Sequence, residues 1–125
     1  MERVKIRNER FSRVHIEEDK IAEYLLNEKH PTGKGKAKFF ISTGFSPNSP
    51  GELSSVLSNH PKTAKLVQEL ITDWGTKYIF VCNIKTPNSS SVCLVSVWQI
   101  DDQTTTPRFI TAYPNKMQTE SRVQE

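Results

Sequence analysis

Cysteine is scarce, with only Cys82 and Cys93 among 125 residues. Two are too few for a disulfide scaffold and lack the CxxC spacing of a zinc knuckle, so they suit a reducing compartment and read as small core residues on neighbouring strands. Long apolar runs are missing too: nothing approaches the roughly 18 consecutive residues of a membrane span. The opening MERVKIRNERFSR is charged throughout, where a secretory signal would carry an apolar stretch. A soluble, cytoplasmic protein without a membrane partner is expected. Hydrophobic residues amount to 35%, below the usual share of about 45–50%. They are clustered rather than diluted, which predicts a folded core with polar ends instead of general disorder. The length leaves no room for a second substantial core, and no internal repeat is visible. Seventeen Lys and Arg against fourteen Asp and Glu give a net charge of +3, a mild excess that permits a polyanionic partner without requiring one.

Residues 1–13 alternate charges with isolated Val4, Ile6 and Phe11, and read as a basic arm outside the domain. Arg13 to Ile16 suits a short strand. Acidic Glu17, Glu18 and Asp19 then precede Ile21, Tyr24 and Leu25 at helical spacing, which predicts a helix from about Glu18 to Leu26. Pro31, Gly33 and Gly35 break it. A second helix runs from Lys36 to a C-cap at Gly44, and a third starts at Ser49-Pro50 and ends near His60-Pro61. Residues 65–72 fit a helix through Leu66, Leu70 and Trp74 or the first strand of a sheet, and the strand reading is preferred. Thr76 to Lys85 and Val92 to Ile100 are rich in β-branched and aromatic residues and form a hairpin, and Arg108 to Tyr113 adds a strand closed by Pro114. Helices first and a meander second predict an α+β domain over 14–114, helices packed on an antiparallel sheet of about four strands, with 115–125 as a flexible tail.

The strongest local charge bias is Lys29 to Lys38, which holds four lysines, His30 and no acid. Lysines and helix-start amides can bind phosphate, and an imidazole can exchange a proton with a ribose hydroxyl or a leaving oxygen. His30 and Lys36 are therefore candidate catalytic residues, and Lys34 and Lys38 candidate substrate-binding ones. The competing reading is a solvated basic loop with glycines for the turn. A P-loop is excluded because the GxxxxGK[ST] spacing is absent and no strand precedes the segment. His15 and His60 have no metal-ligand spacing and suit surface or capping roles, and Asp101-Asp102 reads as turn chemistry. No metal and no cofactor are implied, and no GxSxG elbow supports acyl hydrolysis. On the last strand Arg108 can stabilise growing phosphorane charge and Thr111 can donate to it. Ser96, Trp98 and Tyr113 could add a donor and stacking surfaces for a base. Their competing reading is core or core-edge packing. Strand alternation puts Arg108 and Thr111 on opposite faces, so a joint site requires a bulge after Pro107.

The run YLLNEKHPTGKGKAKFFISTGF, with the later WGTKYIFVCNIKTPN, SVWQI and PRFITAYP, resembles an uncharacterised family of small bacterial, largely cyanobacterial, domains patterned YLLNxxHPxGxxKAxFFxxxGF and PRxxTAYP. That family is similar to the barnase/EndoU/colicin/RelE superfamily of metal-independent ribonuclease toxins, with helices before a four-stranded antiparallel sheet. The resemblance spans roughly residues 24–114. It implies His30 and Lys36 at the helical end and Arg108, Thr111 and Tyr113 on the last strand. One departure is the tip Asn88 to Ser91, where the family usually has a glycine-containing turn. The implied activity is an endoribonuclease toxin of a toxin–antitoxin pair, using the RNA 2′-hydroxyl as nucleophile. Its partners would be RNA and a small acidic antitoxin or immunity protein. The alternative is a non-catalytic RNA- or protein-binding module using the His30–Lys38 segment. An immunity-type role is disfavoured by the basic balance.

Overall fold

The computed structural model describes residues 11–31, 34–85, 87 and 91–115. The arm before Phe11, Thr32 and Gly33, Thr86, most of the Asn88–Ser91 tip, the tail after Asn115 and the side chains of Lys34, Cys82 to Lys85 and Ser91 lie outside this description, and with them the core role expected of Cys82. Three helical segments precede four strands: α1 (Lys20–Leu25), α2 (Lys34–Ser42), α3 (Pro50–Thr63), β1 (Lys65–Thr72), β2 (Gly75–Lys85), β3 (Ser91–Asp101) and β4 (Arg108–Pro114). The strands form an antiparallel meander in the order β1-β2-β3-β4. The fold is the α+β arrangement expected from the sequence.

Each helix boundary has a local cause. Segment α1 is wound as a π-helix, with the Leu26 amide donating to the Ile21 carbonyl at 3.0 Å. This wider spacing puts Ile21, Leu25 and Leu26 together in the core. Helix α2 ends in a Schellman motif: Gly44 has φ 108°, its amide donates to Ile41, and the Phe45 amide donates to Phe40 at 3.1 Å. The accompanying apolar contact is between the Phe40 and Phe45 rings, 6.1 Å apart. At α3, Ser49 holds the N-cap position without a side-chain capping bond, Pro50 opens the first turn, and the helix continues past Pro61 to Thr63. Strand β1 turns into β2 through Asp73 and Trp74, a hairpin held by Thr72 Oγ1 donating to the Gly75 carbonyl at 2.8 Å. That pairing settles residues 65–72 as strand.

The core lies between the helices and one sheet face, and includes Phe40, Leu53, Leu57, Phe80, Leu94, Trp98 and Phe109. Two sequence expectations are corrected here. Phe11, assigned to the arm, is fully buried against Tyr78 and Phe80, because an aromatic ring gains more from that contact than the arm loses in freedom. His60, given a surface or capping role, is only 1% exposed: it follows Leu53 and Leu57 on the buried stripe of α3, and its Nδ1 lies 2.6 Å from Ser96 Oγ. Cys93 is a free, half-buried thiol near the sheet end, and Asn115 Nδ2 donates to its sulfur at 3.3 Å.

Candidate functional site

The site forms where α1 and α2 meet β4. A β-bulge makes this possible. Thr111 pairs with Val97 and Phe109 with Trp98, leaving Ile110 as the extra residue. Because of the insertion, Phe109 and Ala112 both face the core, while Arg108 and Thr111 share the opposite face. This is the bulge after Pro107 that a joint site required. The carbonyl of Ile110 is taken by Lys20 Nζ at 3.2 Å. Farther back, residue His15 bridges to the beginning of β4, with hydrogen bonds of 2.9 Å to Pro107 and from Phe109.

Lys36 stands at the centre. Its ammonium donates to Tyr24 Oη at 2.5 Å and to Thr111 Oγ1 at 2.9 Å, and lies 4.9 Å and 5.9 Å from the ring centroids of Tyr24 and Tyr113. These partners are hydroxyls and ring faces, and among the described residues no carboxylate pairs with Lys36. The first turn of α2 contains no acidic residue. Lysine at a helix N-terminus opposes the helix dipole, so local electrostatics leave this region in want of an anion. Tyr24 responds to the same field. Its hydroxyl is held below the ordinary tyrosine value, chiefly by the hydrogen bond from Lys36; burial opposes this, and the Lys36 charge, the Thr111 hydroxyl and the Lys20 charge reinforce it.

His30 is returned to this cluster by a compact turn. Asn27 Oδ1 accepts from the Lys29 amide at 2.9 Å, Asn27 Nδ2 donates to the Glu23 carbonyl at 3.3 Å, and the His30 amide donates to the Asn27 carbonyl at 3.2 Å. The imidazole then meets the Tyr24 ring edge-on at 5.1 Å. Of the residues singled out from sequence, Thr111 and Tyr113 thus gather around Lys36, and His30 joins them through Tyr24.

The others do not join them. Arg108 forks onto Asp101 instead, with Nε donating to Oδ2 at 2.6 Å and Nη2 to Oδ1 at 3.1 Å. Asp101 also accepts from Gln99 Nε2 at 2.7 Å, so this aspartate is more than turn chemistry: it anchors the start of β4. Lys38 is exposed, and lies two residues from Lys36 on a helix, which points it to another side. Ser96 and Trp98 are fully buried, so the expected stacking surface and donor are corrected to core. Ser96 Oγ accepts from Trp98 Nε1 at 2.9 Å while contacting His60, and these buried polar groups satisfy one another. Tyr24 and Asn27, not singled out from sequence, take part in this cluster through their contacts with Lys36, His30 and the turn before His30. Tyr24 falls at helical spacing with Ile21 and Leu25, which reads as core, although it also opens the same run that carries His30 and Lys36. Among the described residues no cluster of three His, Cys, Asp or Glu side chains forms a metal site, and no helix is long and apolar enough to cross a membrane.

The model of one protein family, the domain of unknown function DUF6883, matches residues 5–116. The chain belongs to this family. The match takes in the buried Phe11 as well as the whole Tyr24–Lys36–Thr111 cluster. A chain of a solved contact-dependent growth inhibition toxin–immunity protein complex from Klebsiella pneumoniae 342 is similar to this one in fold, with a TM-score of 0.66 and 15% sequence identity. The alignment covers 80% of this chain and 98% of that chain. At this identity the likeness is one of fold. Among proteins of curated function, none matches.

Proposed function

We propose that this DUF6883 domain is a metal-independent endoribonuclease and the toxin of a toxin–antitoxin pair. The observation that carries the reading is the partly buried Lys36 ammonium, held between Tyr24 Oη and Thr111 Oγ1 beside His30 and without a carboxylate partner among the described residues. A cation so placed suits an RNA phosphate, which supplies the missing negative charge. In this reading His30 takes the proton of the 2′-hydroxyl as it attacks the adjacent phosphorus. Lys36 and Thr111 stabilise the charge growing on the non-bridging oxygens, and Tyr113 offers a ring face to a base. The products are a 2′,3′-cyclic phosphate and a 5′-hydroxyl. Arg108, bound to Asp101, holds β4 in place rather than touching phosphate.

The fold shared with a chain of a growth-inhibition toxin–immunity complex supports the toxin reading. A neutralising partner would be a small acidic protein covering the basic segment. Controlled expression tests the proposal. Growth arrest by the wild type that His30→Ala abolishes is expected, and a harmless, folded, well-expressed wild type would overturn it. The second reading, a non-catalytic binding module, draws on the exposed Val67, Leu70, Ile71 and Trp74 along β1 and its turn, an apolar edge suited to a protein partner. It would show as salt-sensitive RNA binding without cleavage, or as a stable protein complex formed through β1.

A further inference from the structure

We infer that the Tyr24 hydroxyl is the general acid of this site, the group that protonates the departing 5′-oxygen of the cleaved RNA. The inference rests on the endoribonuclease reading and completes it, since that reading gives His30 the incoming proton but names no donor for the leaving group. Geometry supplies the argument. Tyr24 Oη accepts a hydrogen bond from Lys36 Nζ at 2.5 Å, so its own proton is not used in that bond and can be given to a ligand. Lys36 also bonds Thr111 at 2.9 Å, so a phosphate drawn to the ammonium would sit against the phenol. His30 lies on the edge of the Tyr24 ring, 5.1 Å between centroids, which places a base and an acid side by side on one bound phosphate.

The step balances. The 2′-oxygen forms a bond to phosphorus and its proton passes to His30. The bond from phosphorus to the 5′-oxygen breaks, and the Tyr24 proton passes to that oxygen. The resulting tyrosinate is stabilised by the Lys36 ammonium until solvent returns the proton and removes the one on His30. The lowered pKa of Tyr24, set mainly by the hydrogen bond from Lys36, agrees with this role because it makes the phenol a readier donor.

Tyr24→Phe keeps the ring that packs against His30 and removes only the hydroxyl. The test uses two oligonucleotides built around a cleavage site mapped in total RNA: one with the natural 5′-oxygen, the other with sulfur bridging in its place, a leaving group that needs no proton. Tyr24→Phe should lose roughly 10²–10⁴-fold on the oxygen substrate and less than about tenfold on the sulfur substrate, and the alkaline limb of its pH–rate profile should disappear. Equal losses on both substrates, or no loss on either, would overturn the assignment while leaving the endoribonuclease reading intact. No cleavage by the wild type would remove both. A spectrophotometric phenol titration of wild type against Tyr24→Phe gives an independent check: one tyrosine ionising below the ordinary range should vanish in the variant, and an unchanged titration would count against the acid.

Discussion

Replacing Phe11 by alanine tests whether the amino-terminal segment is structural. The ring is fully buried and meets Tyr78 and Phe80 edge-on, at centroid separations of 5.3 and 5.0 Å. Removing a buried phenylalanine costs about 3–5 kcal/mol. The upper half of that range is expected, because two edge-to-face contacts worth about 0.5–1.5 kcal/mol each are lost with the ring. In a domain of this size about 1 kcal/mol corresponds to about 4 °C in Tm, so Phe11→Ala should melt roughly 16–20 °C below the wild type. Phe11→Leu, which keeps part of the buried volume, should fall between. Urea and thermal unfolding followed by circular dichroism measure both. A loss below about 1 kcal/mol for Phe11→Ala would show that the segment is an accessory arm and that the core does not depend on it.

Three further outcomes follow from the geometry. At Gly75, φ is 153° and an added Cβ would stand 2.2 Å from the Ile100 carbonyl oxygen and 2.8 Å from Asp101 Cα, so Gly75→Ala must part β2 from β3; a loss of at least about 1–3 kcal/mol in denaturant unfolding is expected. Asp101 has its carboxyl held below the ordinary value of 3.8 by Arg108 first and Gln99 second. The stability this linkage gives is therefore complete above that value and is lost as pH falls through the lower, folded one. Acid titration of unfolding should accordingly show a shallower acid limb for Asp101→Asn than for the wild type, and parallel limbs would refute the linkage. Ser96→Ala removes the oxygen shared by Trp98 Nε1 and His60 Nδ1, which should cost about 1–3 kcal/mol of stability. Activity per folded molecule should not change, as measured by cleavage rates normalised to the folded fraction, and a selective loss of activity would return Ser96 to the site.

Much of the fold could be read from residues alone, for reasons that also explain the failures. Strands β2, β3 and β4 announce themselves through β-branched and aromatic runs between turns, and Gly44 marks the end of α2 by the positive φ that a Schellman motif requires. Strand β1 was ambiguous because Leu66, Leu70 and Trp74 repeat at a helical interval, and only its two-residue turn into β2 decides the matter. His60 lies at the seventh position after Leu53, on the buried stripe of its helix, but a polar side chain reads as surface until its partner, thirty-six residues away in Ser96, is known. Strand β3 is buried on both faces, through Val95 and Val97 as well as Ser96 and Trp98, so alternation alone does not say which side chains meet the helices. The bulge at Ile110 depends on the register with β3 and leaves no mark in composition. Lys36, Thr111, Tyr113 and His30 stand out in the sequence through their chemistry and come together in the structure, whereas Tyr24 does not stand out, because its helical spacing matches that of core residues.

The most direct test of the central claim is incubation of purified wild type and Lys36→Met with total RNA in EDTA, with the fragment ends mapped. Cleavage by the wild type that leaves cyclic phosphate ends, reduced at least about 10²-fold in a folded Lys36→Met, is the predicted result. Intact RNA with a folded wild type, or equal cleavage by both proteins, would contradict a catalytic site built around Lys36.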